Sequence, residues 1–345
     1  MRLYMPRQCT TRPCAGLVRI VVLAVLACGA IGGCSAEEPA EDRFRVALLT
    51  PGSIADGGWN AGAYAGLELI RDELGAEISH VETRTPAEFE ESFRDYASRG
   101  YDLVFGHGFE YQDAAAAVGA THPDTVFVTT SGNTVRENVA PMVFELEQAT
   151  YLCGYLAGRM TATGKLGMIG GINLPSIRST FVAFRAGALA ARPDAVVREV
   201  FIGNFDDTAA TREAALALLE EGADFLIHQA NEAGRGVFQA VSERVAAGQR
   251  AFAFGTNRNQ NDMAPDVVIA SATLDIPGAL LEVARRVQAG EFVAAPIRLG
   301  MAEGIVRLEI NPRLAPRIPD DVRADLAARE AELLDGSLAV PRGAF

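Results

Sequence analysis

The stretch FRVALLTPGSIADGGWNAGAYAGLELI, residues 44–70, decides the fold. FRVALLT is a short apolar run suited to a buried strand. From about Asn60 to Leu74 the apolar residues fall at helical spacing, and a glycine-rich turn joins the two. A strand that passes through such a turn into a helix is the first half of a βαβ unit. The turn carries the chain's single tryptophan, Trp59, between Asp56 and Asn60. An indole, a carboxylate and an amide at the C-terminal end of a strand mark a ligand-facing loop, because open parallel sheets bind ligands beyond those strand ends.

The alternation continues outward. EISHVET, YDLVFGHG and TVFVTTSG read as strands, with helices over PAEFEESFRDYASRG and YQDAAAAVGATH between them. Pro86 opens the first of these helices and Gly100 follows it. A helix over about 147–162 then leads into a second series. KLGMIGG, VVREVFIG, DFLIHQA, AFAFGTN, VVIASAT and GIVRLEI read as its strands, with helices over 175–192, 208–221, 234–247 and 276–289. Two successive βα series predict an α/β protein of two lobes, each a parallel sheet flanked by helices. The length of 345 residues fits two cores better than one.

Composition narrows the function. The net charge of −13 repels phosphate backbones and argues against a nucleic-acid partner. Arg2, Arg7, Arg12 and Arg19 precede the apolar run IVVLAVLACGAIGGC, which ends at Cys34. About 14 apolar residues suit a signal peptide better than a membrane span. Ile31-Gly32-Gly33-Cys34 resembles the bacterial lipobox, which implies cleavage before Cys34 and lipidation of its thiol. Residues 1–33 are therefore read as a lipoprotein signal peptide, and the acidic residues 34–43 as a flexible tether. Cys153 then remains as the only other cysteine of the mature chain, so no internal disulfide framework is expected.

The strand-end loops TPGSIADGGWN, FGHGFEYQD, TSGN, GGINLPS, GNFDD, HQANEAG and FGTNRNQND are rich in Gly, Asn, Asp and aromatics. Glycine admits close backbone approach, Asn and Asp supply donors and acceptors, and Trp59, Tyr64, Phe109 and Phe205 supply flat faces. A small, planar ligand rich in hydrogen-bonding groups follows. Each residue also has a structural reading: Asp56 and Asp113 as acids of helix first turns, Trp59, Tyr64 and Phe205 as lids on a core, Arg178 as a surface charge. His80, His107, His122 and His228 show no metal-ligand spacing. No phosphate loop, dinucleotide fingerprint or nucleophile elbow is present. No cofactor, metal or catalytic residue is expected.

The motifs D-x-x-W-N at 56–60, GHGFEYQDAAAAVGATHPDTVF at 106–127, ATYLCGYLAGRMTATGKLGMIGG at 149–171 and HQANEAGRGVFQA at 228–240 resemble the basic membrane protein (PnrA-like) family of ABC-transporter substrate-binding lipoproteins. The resemblance covers about residues 44–310. It implies the two-lobed type I periplasmic binding protein fold, with three interlobe crossings near residues 147, 255 and 299. The lobes would be 44–147 with 256–298, and 148–255 with 299–345. It implies a purine nucleoside or related heteroaromatic ligand, gripped by Asp56, Trp59, Asn60, Tyr64, Phe109, Asp113, Phe205, Asp206, Asn231, Asn257 and Asn259. An ABC permease would be the protein partner, with the receptor a monomer on a lipid anchor outside the cytoplasm. Where the family often has carboxylates, this chain has Asn257 and Asn259, which removes charge assistance from hydroxyl recognition. Two alternatives remain: a sensor that hands its closed form to a signalling partner, and an enzyme of nucleoside or sugar metabolism.

Overall fold

A computed structural model describes residues 43–343. The signal peptide, Cys34 and all of the tether but Arg43 lie outside the described residues. The first lobe opens with β1 (Arg45–Thr50), α1 (Trp59–Leu74), β2 (Glu77–Glu82), α2 (Pro86–Ser98) and β3 (Leu103–Gly106). It continues with α3 (Gln112–Gly119), β4 (Val126–Thr130) and β5 (Val139–Phe144). The second lobe follows as α4 (Glu147–Met160), β6 (Lys165–Gly170), α5 (Pro175–Ala191), β7 (Val196–Phe201), α6 (Thr208–Glu220), β8 (Phe225–Gln229), α7 (Arg235–Ala246), β9 (Phe252–Asn257) and β10 (Val268–Leu274). The chain returns to the first lobe for α8 (Ile276–Gln288) and β11 (Ile297–Leu299), then closes in the second with β12 (Val306–Ile310) and α9 (Asp320–Leu334).

Each sheet has six strands, in the orders β11-β5-β4-β3-β1-β2 and β12-β10-β9-β8-β6-β7. Every pairing is parallel except β10 with β12. Parallel strands covered on both faces are largely apolar, and β3, β8, β9 and β10 are buried at every position. Phe105 and Phe127 fill the first lobe, and Phe184, Phe225, Phe252 and Phe254 the second.

Local sequence explains the helix starts. Thr85 and Glu88 form a reciprocal capping box at α2, with Pro86 in its first turn. Asp56 accepts hydrogen bonds from the backbone amides of Gly58 (2.9 Å), Asn60 (2.9 Å) and Ala61 (3.0 Å), and so starts α1. In the second lobe α4 and α5 cross with Gly154 against the Phe184 carbonyl and Gly187 against the Tyr151 carbonyl. Side chains at those two positions would keep the helices apart.

The path between the lobes differs from expectation at its second passage. The chain passes between β5 and α4 at residues 145–146, between β10 and α8 at Asp275, and between β11 and β12 at residues 300–305. The expected passage near 255 is corrected, because β9 runs on to Asn257 and β10 pairs beside it in the same sheet. Residues 256–274 therefore belong to the second lobe. The sequence reading also lacks β5, β11 and α9. Pro141 argues against a strand, yet it pairs with Thr129 inside the sheet, and the whole of β5 is buried.

Candidate functional site

The strand ends of both lobes face one cleft. Its inner cavity holds about 700 Å³ of non-atom space, open solvent at the mouth included. The first lobe contributes Pro51, Trp59, Gly108, Phe109, Glu110 and Ser131, and the second Leu174, Ile177, Phe205, Gln229, Asn231 and Asn257. Phe144, Leu146, Glu147 and Leu274 close it beside the passages between lobes. An outer cavity of about 620 Å³ shares Pro51, Phe205 and Asn231 with it and adds Asp56, Asn60, Arg84 and Asp206.

Aromatic walls are fixed from behind. Trp59 rests on the buried imidazole of His107, with ring centroids 4.0 Å apart, and sets its edge against Phe144. Phe205 lies against Gly171, where any Cβ would collide with its ring, and its carbonyl accepts a hydrogen bond from the Ala233 amide at 2.9 Å. Among the described residues, the non-glycine positions with positive φ are Ser131 (59°), Asn231 (46°) and Asn257 (67°). All three line the inner cavity. A left-handed backbone costs free energy at such residues, and its clustering at one cavity marks a site shaped for a ligand.

The buried ionisable groups are tuned by loss of water. Burial lowers His107 to about 3 and His228 to about 4, so both imidazoles are neutral near pH 7. Glu110 and Glu147 are pushed above the usual carboxylate range, in each case chiefly by burial. Glu147 is 2 % exposed and accepts a hydrogen bond from the Ser179 hydroxyl. Its second oxygen, Oε2, has no hydrogen-bond partner, and the nearest cation is the Arg342 guanidinium at 4.0 Å.

The expected site residues divide. Trp59, Phe109, Phe205, Asn231 and Asn257 line the inner cavity. Asp56, Asn60 and Asp206 line the outer one. Asp56 is already engaged by three backbone amides, whereas the buried Oδ1 of Asn60 has no partner. Asp206 pairs at 3.4 Å with Arg84 of the opposite lobe. Three of the expected residues lie outside both cavities. Tyr64 packs edge-on against His80 of β2, 5.4 Å between centroids, and lines neither cavity. Asp113 is an exposed acid in the first turn of α3. Asn259 donates to Glu309 at 2.6 Å, away from this cleft. Arg178 pairs with Glu199 on the surface. His228 lies behind Gly234, with Nε2 3.0 Å from Gln260 Oε1. Glu110, Glu147 and Ser131 were not singled out by sequence. The one available signal for Glu147 was an acid opening an otherwise apolar helix, a pattern that ordinarily means an acid facing the helix dipole.

Among the described residues no cluster of His, Cys, Asp and Glu is suited to hold a metal ion. No described helix is long and apolar enough to cross a membrane. Cys153 is buried and unpaired, and burial raises its thiol pKa, which keeps it unreactive.

Two lobes, three passages and a ligand-sized cleft between strand ends define a substrate-binding protein of the periplasmic type. The chain matches the family described as ABC transporter substrate-binding protein, PnrA-like, over residues 44–328, and belongs to it. It is 24% identical to basic membrane protein A2 of Borrelia garinii subsp. bavariensis, over 94% of this chain and 96% of that one. It is 25% identical to a purine-binding protein of Brucella abortus, over 92% of this chain and 88% of that one. A solute-binding protein of an ABC transporter system from Aeropyrum pernix K1 shares the fold, with a TM-score of 0.78, 21% identity and coverage of 88% of this chain and 94% of that one.

Proposed function

We propose that this chain is the lipid-anchored receptor of an ABC importer, and that it binds a purine nucleoside or a related flat heterocycle in the interlobe cleft. The carrying observation is that Trp59 and Phe205, from opposite lobes, line one cavity together with Asn231 and Asn257. A ring between two aromatic faces gains stacking energy, about 1–3 kcal/mol per base, and the amides supply edge contacts. Contacts made from both lobes at once favour the closed form, which is the shape a permease recognises. Removal of residues 1–33 and lipidation at Cys34 would hold the receptor, as a monomer, at the outer face of a membrane. The purine-binding name of the Brucella abortus relative points the same way.

The test is direct. Ligand released from freshly purified, denatured protein is identified by mass spectrometry, and the emptied protein is titrated with nucleosides, free bases and glucose. A co-purifying purine with tight rebinding is the expected result. A monosaccharide in its place, or turnover of any ligand during incubation, would remove this reading.

A further inference from the structure

We infer that Glu147, with Glu110 as a second acceptor, reads a hydrogen-bond donor edge on the ligand, so that the cleft prefers unphosphorylated guanine- or hypoxanthine-type nucleosides over adenosine. This rests on the nucleoside reading above and adds the base class.

Among the described residues, the ionisable side chains in the lining of the inner cavity are Glu110 and Glu147, both acids. Among the described residues no Lys, Arg or His lines it, the Arg84 guanidinium lining only the outer cavity, and two carboxylates there would repel a phosphate. Glu147 is the informative member. It is buried and lines the cavity, its Oε1 accepts from the Ser179 hydroxyl, and its Oε2 has no hydrogen-bond partner, the Arg342 guanidinium standing 4.0 Å away. A buried acceptor without a donor is costly. Burial favours the neutral acid, but the N-terminus of α4, which Glu147 opens, and the Arg342 guanidinium beside it favour the carboxylate. An ionised carboxylate accepts hydrogen bonds and donates none. The complementary ligand edge therefore carries N–H groups. Guanine offers N1–H and the exocyclic amine side by side, and hypoxanthine offers N1–H. Adenine has an acceptor at N1 and would set two acceptors against each other.

Calorimetry on the emptied full chain, with guanosine, inosine, 1-methylguanosine, adenosine and GMP, tests this. Guanosine should bind at least tenfold tighter than adenosine, 1-methylguanosine should lose most of that advantage, and GMP should not bind. Glu147→Gln should shrink the guanosine-to-adenosine ratio by about tenfold, with Glu110→Gln giving a smaller change. Should Glu147→Gln fail to fold, the 1-methylguanosine comparison on the unaltered protein decides alone. Equal affinity for guanosine, 1-methylguanosine and adenosine overturns the inference and leaves nucleoside binding standing. Failure of every purine to bind overturns the nucleoside reading and this inference with it.

Discussion

The indole of Trp59 lies over the imidazole of His107, with planes 21° from parallel. The indole Nε1 donates to the His107 carbonyl at 3.3 Å, and His107 Nε2 lies 3.1 Å from the Trp59 carbonyl. A carbonyl can only accept, so Nε2 carries the proton and Nδ1 accepts from the Thr130 hydroxyl at 3.2 Å. Trp59 is thereby held as a rigid wall rather than a mobile flap. As the only tryptophan it also reports the site. Ligand binding should change its fluorescence, Trp59→Ala should weaken binding by roughly tenfold or more, and Trp59→Phe should keep most of the affinity. Titration of all three by calorimetry checks this; equal affinities would remove the stacking role.

Phe205 and Tyr64 should part company. Phe205 lines both cavities, while Tyr64 packs on His80. Phe205→Ala should cost about 1.4 kcal/mol of binding, a factor of ten. Tyr64→Ala and Asn259→Ala should leave affinity within twofold. Dissociation constants for the three variants, with circular dichroism to confirm folding, separate cleft residues from bystanders.

Arg84 and Asp206 meet across the mouth at 3.4 Å, and Arg235 donates to the Ala55 carbonyl at 3.1 Å, again between lobes. Both charges of the first pair are more than half exposed, so the contact is worth at most about 1 kcal/mol and is screened by salt. Arg84→Ala should speed ligand release by a few-fold at low ionic strength, with little change in the association rate. Stopped-flow measurements at high salt should show the difference vanish; an effect that persists there would point to something other than charge.

Acid should unfold the protein through its buried imidazoles. The folded values of about 3 for His107 and about 4 for His228 lie below the ordinary 6.5, so the unfolded chain binds more protons as pH falls. Stability is then fully present above about 6.5 and falls below it, by up to about 1.4 kcal/mol per pH unit for each histidine. Glu110 and Glu147, raised by burial, act in the opposite sense, since their protonated forms favour the fold. Urea midpoints at a series of pH values should therefore drop between pH 6.5 and 4, and Glu147→Gln should steepen the drop. A midpoint insensitive to pH over that window would contradict the burial of both imidazoles.

Gly154→Ala should destabilise the second lobe. The added methyl would fall on the Phe184 carbonyl, a backbone atom that cannot step aside without parting α4 from α5. Overpacking of this kind costs about 1–3 kcal/mol or more. Urea denaturation measures it, and an unchanged midpoint would show that the two helices slide apart freely.

The loops that follow strands were legible because position in a βα unit and residue type agree there. Trp59, Phe205, Asn231 and Asn257 sit at strand ends, and the asparagines also tolerate the left-handed backbone that the cleft requires. Residues in the first two turns of a helix were not legible, since the face they take depends on what packs outside. Tyr64 turned toward β2 and Asp113 toward solvent for that reason. Asn259 found Glu309, a partner 50 positions away that no local pattern announces. The passage at Asp275 escaped notice because a strand looks the same whichever sheet receives it. Glu147 was hidden by its neighbours: ATYLCGYLAG reads as packing, and only the three-dimensional arrangement brings the acid two positions ahead of it to the cavity.

The threading of the chain has a consequence for synthesis. The first sheet waits for β11 at residues 297–299, and the second for β12 at 306–310. A ribosome must therefore deliver nearly the whole polypeptide before either half is finished, and a fragment stopped at residue 274 would leave two unsealed sheet margins, at β5 and β10, open to association with other chains.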